Sequence, residues 1–146
     1  MTVTVKEYLK GIKEINRHLC TMEEELSMLK AGLIYPTSPK LGDKVQNGSA
    51  QLSTNPMDVY GDKLNDYYEE WNYYIDKKQE ARRFISKEPV LIRRDVLIQY
   101  YILNKRTWAD VAKALSYTTR QVQTFHGEAL QDLEQIAEKE RITLEI

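Results

Sequence analysis

Residues 108–126 read WADVAKALSYTTRQVQTFH. Val111, Leu115, Val122 and Phe125 recur at helical spacing on either side of Ser116 and Tyr117, a pattern of two amphipathic helices joined by a tight turn. Ala112 supplies the small side chain that a steep crossing of two helices requires, and Trp108 and Leu97 are placed to close the miniature core between them. Thr118 stands where its hydroxyl can accept a free backbone N–H, which fixes where the second helix begins. A fixed start also fixes the phase, so Thr119, Arg120, Gln123, Thr124 and Gly127 fall on the side away from that core.

Those residue types suit the reading of base edges in a DNA major groove. An arginine binds guanine O6 and N7 together, a glutamine does the same with adenine, and threonine methyls touch thymine. The expected base contacts are therefore Thr119, Arg120, Gln123 and Thr124. Between residues 118 and 130 the second helix carries Arg120 and no lysine, so the phosphate contacts are expected from outside it. Arg93, Arg94, Lys105, Arg106, Lys113 and Thr118 are the candidates, with the N-terminal amides of both helices. About four to six phosphates per copy implies modest affinity and a measurable salt slope.

The charge distribution agrees. The whole chain of 146 residues has a net charge of −1, which argues against a general polyanion binder. Residues 89–130 nevertheless hold six Lys+Arg against three Asp+Glu, and residues 131–146 hold two against five. The basic segment is the one that contains the paired helices.

Working outward, Pro89 is placed for the first turn of a helix running through Val96, Leu97, Tyr100 and Tyr101, with Asn104 as a left-handed stop. The helix that Thr118 starts can continue to about residue 140. Towards the N-terminus, Tyr8, Ile12, Ile15, Leu19, Met22, Leu26, Leu29 and Leu33 step alternately by four and three, a heptad seam. Thr4 and Glu7 can cap its start reciprocally, and Gly32 lies where such a helix stops. Residues 34–56 concentrate Pro, Gly, Ser, Thr and Asn and read as a flexible linker. A second seam follows: Met57, Tyr60, Leu64, Tyr67, Trp71, Tyr74, Ala81 and Ile85, interrupted at Lys78. The two helices can form an antiparallel hairpin or associate between chains. Within YYEEWNYY, residues 67–74, the Tyr67, Trp71 and Tyr74 face suits a core or a partner groove, and Asp66, Glu69 and Glu70 would repel a phosphate backbone; Tyr68 and Tyr73 are left as exposed contacts.

The stretch YYILNKRTWADVAKALSYTTRQVQTFHGEALQDLEQI resembles the fourth region of bacterial sigma factors. It resembles more closely the late-operon transcriptional activators of phages and prophages of Gram-positive bacteria, the RinA-like and ArpU-like group, through Trp108, the Val111 and Ala112 pair and Ala129-Leu130. The resemblance covers roughly residues 89–134 and is one of layout before that. It implies DNA contacts at Thr119, Arg120, Gln123 and Thr124 and RNA polymerase as a further partner. Ser116 stands where the turn usually has glycine, and Gln121 and Gln123 stand where sigma factors often have arginine. No second region for a −10 element is recognisable, which sets the chain apart from a promoter-selecting sigma factor.

Other classes are disfavoured. There is no Gly-rich phosphate loop and no nucleophile motif, and His18 and His126 lie in different segments, so neither an enzyme nor a metal or cofactor site is expected. Cys20, the single cysteine, reads as a buried thiol. No apolar run approaches the roughly 18 residues a membrane span needs, and the N-terminus lacks a signal peptide's apolar centre, so a cytoplasmic location is expected. The expected fold is all-α: a long-helix hairpin or coiled coil over residues 1–88, then a sigma region 4-like helix-turn-helix domain over residues 89–146 with an acidic tail. The expected function is sequence-specific transcription regulation on double-stranded DNA, with self-association through the long helices. The alternative is an adaptor that contacts RNA polymerase or another protein without touching DNA.

Overall fold

A computed structural model describes residues 3–32 and 56–145, with side chains from Gly61 onward in the second stretch. The linker read over residues 34–56 lies outside the described residues apart from Pro56, as do Leu33 and the side chains of Met57 and Tyr60. Among the described residues every regular element is helical: α1 (Val5–Lys30), α2 (Pro56–Ile85), α3 (Leu91–Leu97), α4 (Trp108–Leu115) and α5 (Thr119–Glu140). None of these helices is long and apolar enough to cross a membrane.

The start of α1 is the reciprocal cap that Thr4 and Glu7 predict. Glu7 N–H donates to Thr4 Oγ1 at 3.2 Å and Thr4 N–H to Glu7 Oε2 at 3.0 Å, so two of the orphan donors at the helix start are satisfied. Its end is Gly32 in the left-handed region at φ +74°.

The chain forms two compact units, and their boundary does not fall at residue 88. One comprises residues 1–17 with 75–146, the other His18–Tyr74. In the second unit the later half of α1 lies antiparallel to the earlier half of α2, with the His18 ring 5.0 Å from that of Tyr74 and bonded to Glu70 at 3.2 Å. The seam residues Leu19, Met22, Leu29 and Tyr67 are buried there, while Tyr68 and Tyr73 are exposed as expected. Cys20 is exposed, against the expectation of a buried thiol. Leu19 and Met22 take the inner face, and a residue one step along a helix from Leu19 turns about 100° away from it.

In the first unit the start of α1 meets the end of α2, with Tyr8 edge-on to Phe84 at 6.0 Å. Here α1 is buried on a second stripe as well: Val5, Leu9, Ile12 and Asn16, of which three are fully inaccessible. This stripe meets the C-terminal helices, as Val5 N–H donates to Glu134 Oε1 on α5 and Asn16 Nδ2 to the Tyr101 carbonyl, both at 2.5 Å. Residues 1–17 therefore fold together with residues 75–146, which is why the boundary lies inside the long helices.

Pro89 does not open α3. Val90 is the N-cap in extended conformation, so the proline precedes the helix, where its missing N–H has no consequence. After Leu97 the helix widens into a π-turn over Ile98–Ile102 before Asn104 stops it at φ 58°. Between α2 and α3, Glu88 is fully buried, its Oε1 accepting Val90 N–H at 3.1 Å. Oε2 has no hydrogen-bond partner. Burial raises the Glu88 pKa, and the neighbouring Asp132 carboxylate adds to the rise. A carboxyl whose folded pKa exceeds its unfolded one contributes stability at low pH that is lost as pH rises through the folded value. Glu88→Gln, which mimics the protonated acid, is therefore expected to raise the melting temperature at pH 8, with the gain shrinking towards pH 4 in thermal melts followed by circular dichroism.

Candidate nucleic-acid interface

Four helical segments build the surface around residues 108–126. Val96, Val111, Ala112 and Val122 form a buried cluster, with Tyr100, Trp108, Leu115 and Phe125 packed around it. This is the miniature core that the spacing predicts, with one correction. Leu97 is buried, but Val96 is the α3 residue in the cluster, because α3 presents position 96 to α4 and position 97 lies about 100° round the helix.

The turn between α4 and α5 is fixed by its own backbone. Ser116 adopts the left-handed conformation at φ 62°, and Tyr117 N–H donates to the Ala112 carbonyl at 3.0 Å, a helix stop in which serine occupies the position glycine fills most easily. Thr118 then caps α5. Its Oγ1 accepts Gln121 N–H at 3.1 Å, and Gln121 Oε1 accepts Thr118 N–H at 3.0 Å. Gln121 is thereby the reciprocal partner of the cap, a role its position three residues after Thr118 permits.

With that phase Val122 is inaccessible while Thr119, Arg120, Gln123, Thr124 and Gly127 are all exposed. Thr124 Oγ1 donates to the Arg120 carbonyl at 3.0 Å, which leaves its methyl as the group it offers. A Cβ added at Gly127 would meet nothing within 4 Å, so space is open beyond this end of the face.

The six expected phosphate contacts separate into groups. Arg106, Lys113 and Thr118 are exposed and Lys105 is half-buried. Arg93 is committed elsewhere, its guanidinium ion-paired with Glu128 and with Asp132, the latter at 2.8 Å. Glu128 and Asp132 stand one turn apart on α5 and form the fork that joins α5 to α3. Arg94 donates to the Glu88 carbonyl at 2.8 Å. Both arginines hold the unit together, an outcome that their adjacency on α3 does not disclose.

Sequence reasoning missed the cations on the other side. Lys6, Lys10, Lys13 and Arg17 line a cleft of about 460 Å³ that Gln123 and His126 of α5 also line. Their spacing of four, three and four residues marks one face of α1. Lys13 is buried beneath this stripe, donating to the carbonyls of Tyr100 at 2.9 Å and Lys105 at 2.7 Å with its ammonium 3.8 Å from the Tyr100 ring centre. On the cleft floor Tyr100 stacks on Trp108 at 3.9 Å, and Tyr101 O–H lies 2.8 Å from His126 Nε2. Burial, aided by the charge of Lys6, lowers the His126 pKa to about 4, while burial keeps the Tyr101 hydroxyl protonated. The tyrosine is therefore the donor and the imidazole the neutral acceptor.

No protein-family model, curated protein or solved structure matches this chain.

Proposed function

We propose that α4, the turn at residues 116–118 and α5 work as a helix-turn-helix, and that the protein is a sequence-specific DNA-binding regulator of transcription rather than an enzyme. The observation that carries this reading is the side of α5 opposite Val122. Thr119, Arg120, Gln123 and Thr124 are exposed together on a helix whose phase is locked by the Thr118–Gln121 cap. A helix presented in this way can enter a major groove with its N-terminal residues at the base edges. Arg106 and Lys113, exposed beside it, supply backbone contacts. The likeness of residues 89–134 to sigma region 4 and to phage late-operon activators extends the proposal to activation of phage or prophage genes in the cytoplasm.

Self-association belongs to the same proposal, because one copy offers a small reading face and two copies on adjacent half-sites would multiply the contacts. The described seam residues Ile15, Leu19, Met22, Leu29, Tyr67, Ala81 and Ile85 are buried within the chain, so pairing would use outer faces, where Met28, Tyr68 and Tyr73 are exposed. Light scattering on the free and DNA-bound protein measures this directly.

Selection of bound fragments from a random duplex pool followed by gel shifts tests the central reading. Arg120→Ala is expected to weaken binding to the selected site by about 1–3 kcal/mol and to relax preference at one base pair. Equal weakening on selected and random duplexes would contradict base reading by this arginine. Failure to shift any duplex at two salt concentrations would favour the adaptor role.

A further inference from the structure

We infer that the N-terminal helix is the second half of the DNA-binding surface: Lys6, Lys10 and Arg17 of α1 face Gln123 of α5 across a cleft that grips a phosphodiester backbone. The inference rests on the reading of α5 as the groove-entering helix and adds residues from the opposite end of the sequence.

Three observations converge on that occupant. The first is charge. Lys6, Lys10, Lys13 and Arg17 border the cleft, and Glu14 is the one carboxylate among its lining residues. Lys13 is spent on two backbone carbonyls, but Lys6 and Lys10 are exposed. From residue 6 to residue 17 an α-helix rises about 16 Å, a span that matches several successive phosphates of one strand.

The second is continuity. Gln123 belongs both to the exposed face of α5 and to the cleft wall. A duplex that offers base edges to Arg120 and Gln123 must carry its backbone past one flank of α5. Among the residues that line the cleft the exposed cations are those of α1, and they compensate for the scarcity of lysine on α5 itself.

The third observation decides between a strand and a small aromatic anion such as a nucleotide. The aromatic rings of the floor are engaged with one another. Tyr100 has the Trp108 indole stacked 3.9 Å away, 11° from parallel, and the Lys13 ammonium over its ring. Trp108 and His126 lie 4.5 Å apart. No pair of rings is left open as a slot for a base, whereas exposed ammonium groups need only phosphate oxygens.

The test compares Lys6→Ala/Lys10→Ala and Arg120→Ala with the unaltered protein, on the selected duplex and on a random duplex, across a salt series. Lys6 and Lys10 are exposed, and a thermal melt checks that the double variant is folded; Lys6→Gln/Lys10→Gln replaces it if the melt shifts. The double lysine variant is expected to bind both duplexes about tenfold more weakly at 0.1 M salt, with the salt slope reduced by about two. Arg120→Ala should instead lose affinity mainly on the selected duplex. Unchanged affinity and slope in a folded lysine variant, with Arg120→Ala still defective, would overturn the α1 inference and leave the role of α5 standing. An unaltered protein that shifts neither duplex would overturn both, and titration with an acidic peptide would then show whether the cleft serves a protein partner. A double variant defective only on the selected duplex would also count against a backbone grip.

Discussion

Lys13→Met is expected to destabilise the protein by about 3 kcal/mol in urea unfolding, more than most single substitutions, although the lysine is replaced by a side chain of similar length. The cause lies at the end of the segment that runs from α3 through the π-turn. A helix C-terminus leaves carbonyls without partners and carries the negative end of the macrodipole. Lys13 brings a buried ammonium to the carbonyls of Tyr100 and Lys105, and Asn16, one turn along, donates to that of Tyr101. Methionine fills the space and leaves two half-buried acceptors unpaired, each at the desolvation penalty of an unmade bond. Burial and the nearby Arg17 lower the Lys13 pKa, so its charge carries a desolvation cost, with the Tyr100 ring beneath it as partial compensation. Lys13→Arg should recover less than half of the loss, because a planar guanidinium cannot reproduce a compact ammonium between two carbonyls and a ring face. A loss below about 1 kcal/mol for Lys13→Met would show that these carbonyls find water instead.

That interaction also marks where sequence reasoning stops. Local signals were sufficient for the caps: Thr4 with Glu7, and Thr118 at the start of α5, act over three residues and depend on nothing distant. The miniature core was readable for the same reason, since Val111, Ala112 and Val122 obey the periodicity of helices separated by a short turn. The all-α class follows from two heptad seams, the second broken at Lys78. What the sequence did not disclose is long-range. Lys13 reads as a solvated residue beside the seam until the C-terminal helices are laid against α1. The burial of Val5, Leu9 and Asn16 belongs to a second stripe that no partner segment announces. The partners of Arg93 and Arg94 were not legible because a basic segment names the charge and not its neighbours; Glu128 and Asp132, placed one turn apart, pair with Arg93. The π-turn at Ile98–Ile102 carries no local signature, and Leu97 and Val96 exchanged roles because one residue of phase on α3 is below what spacing resolves. At the candidate site the interactions that were not legible concern cations, whose place is decided by whichever acceptor the fold brings near.

Acidification is the second large effect expected, and His126 is its source. In the unfolded chain this imidazole titrates near 6.5; in the fold, burial and the charge of Lys6 hold it at about 4. A depressed folded pKa contributes stability that is complete above the unfolded value and is lost as pH falls through the folded one, because the unfolded chain takes up the proton first. The loss lies between pH 6.5 and pH 4, and its full size is on the order of 3 kcal/mol. About 2 kcal/mol of it should appear between pH 7 and pH 5. His126→Gln keeps an acceptor for the Tyr101 hydroxyl, now bonded at 2.8 Å, and removes the titration, so its unfolding free energy should vary less between those two pH values than that of the unaltered protein. Glu88 acts with the opposite sign, since its raised folded pKa returns stability as pH falls. In a Glu88→Gln background the acid loss should therefore be steeper, and substitution of both residues should flatten the profile. Nuclear magnetic resonance of the imidazole gives the independent check: a His126 titration midpoint at or above 6 in the folded protein would remove this account, whatever the melts show.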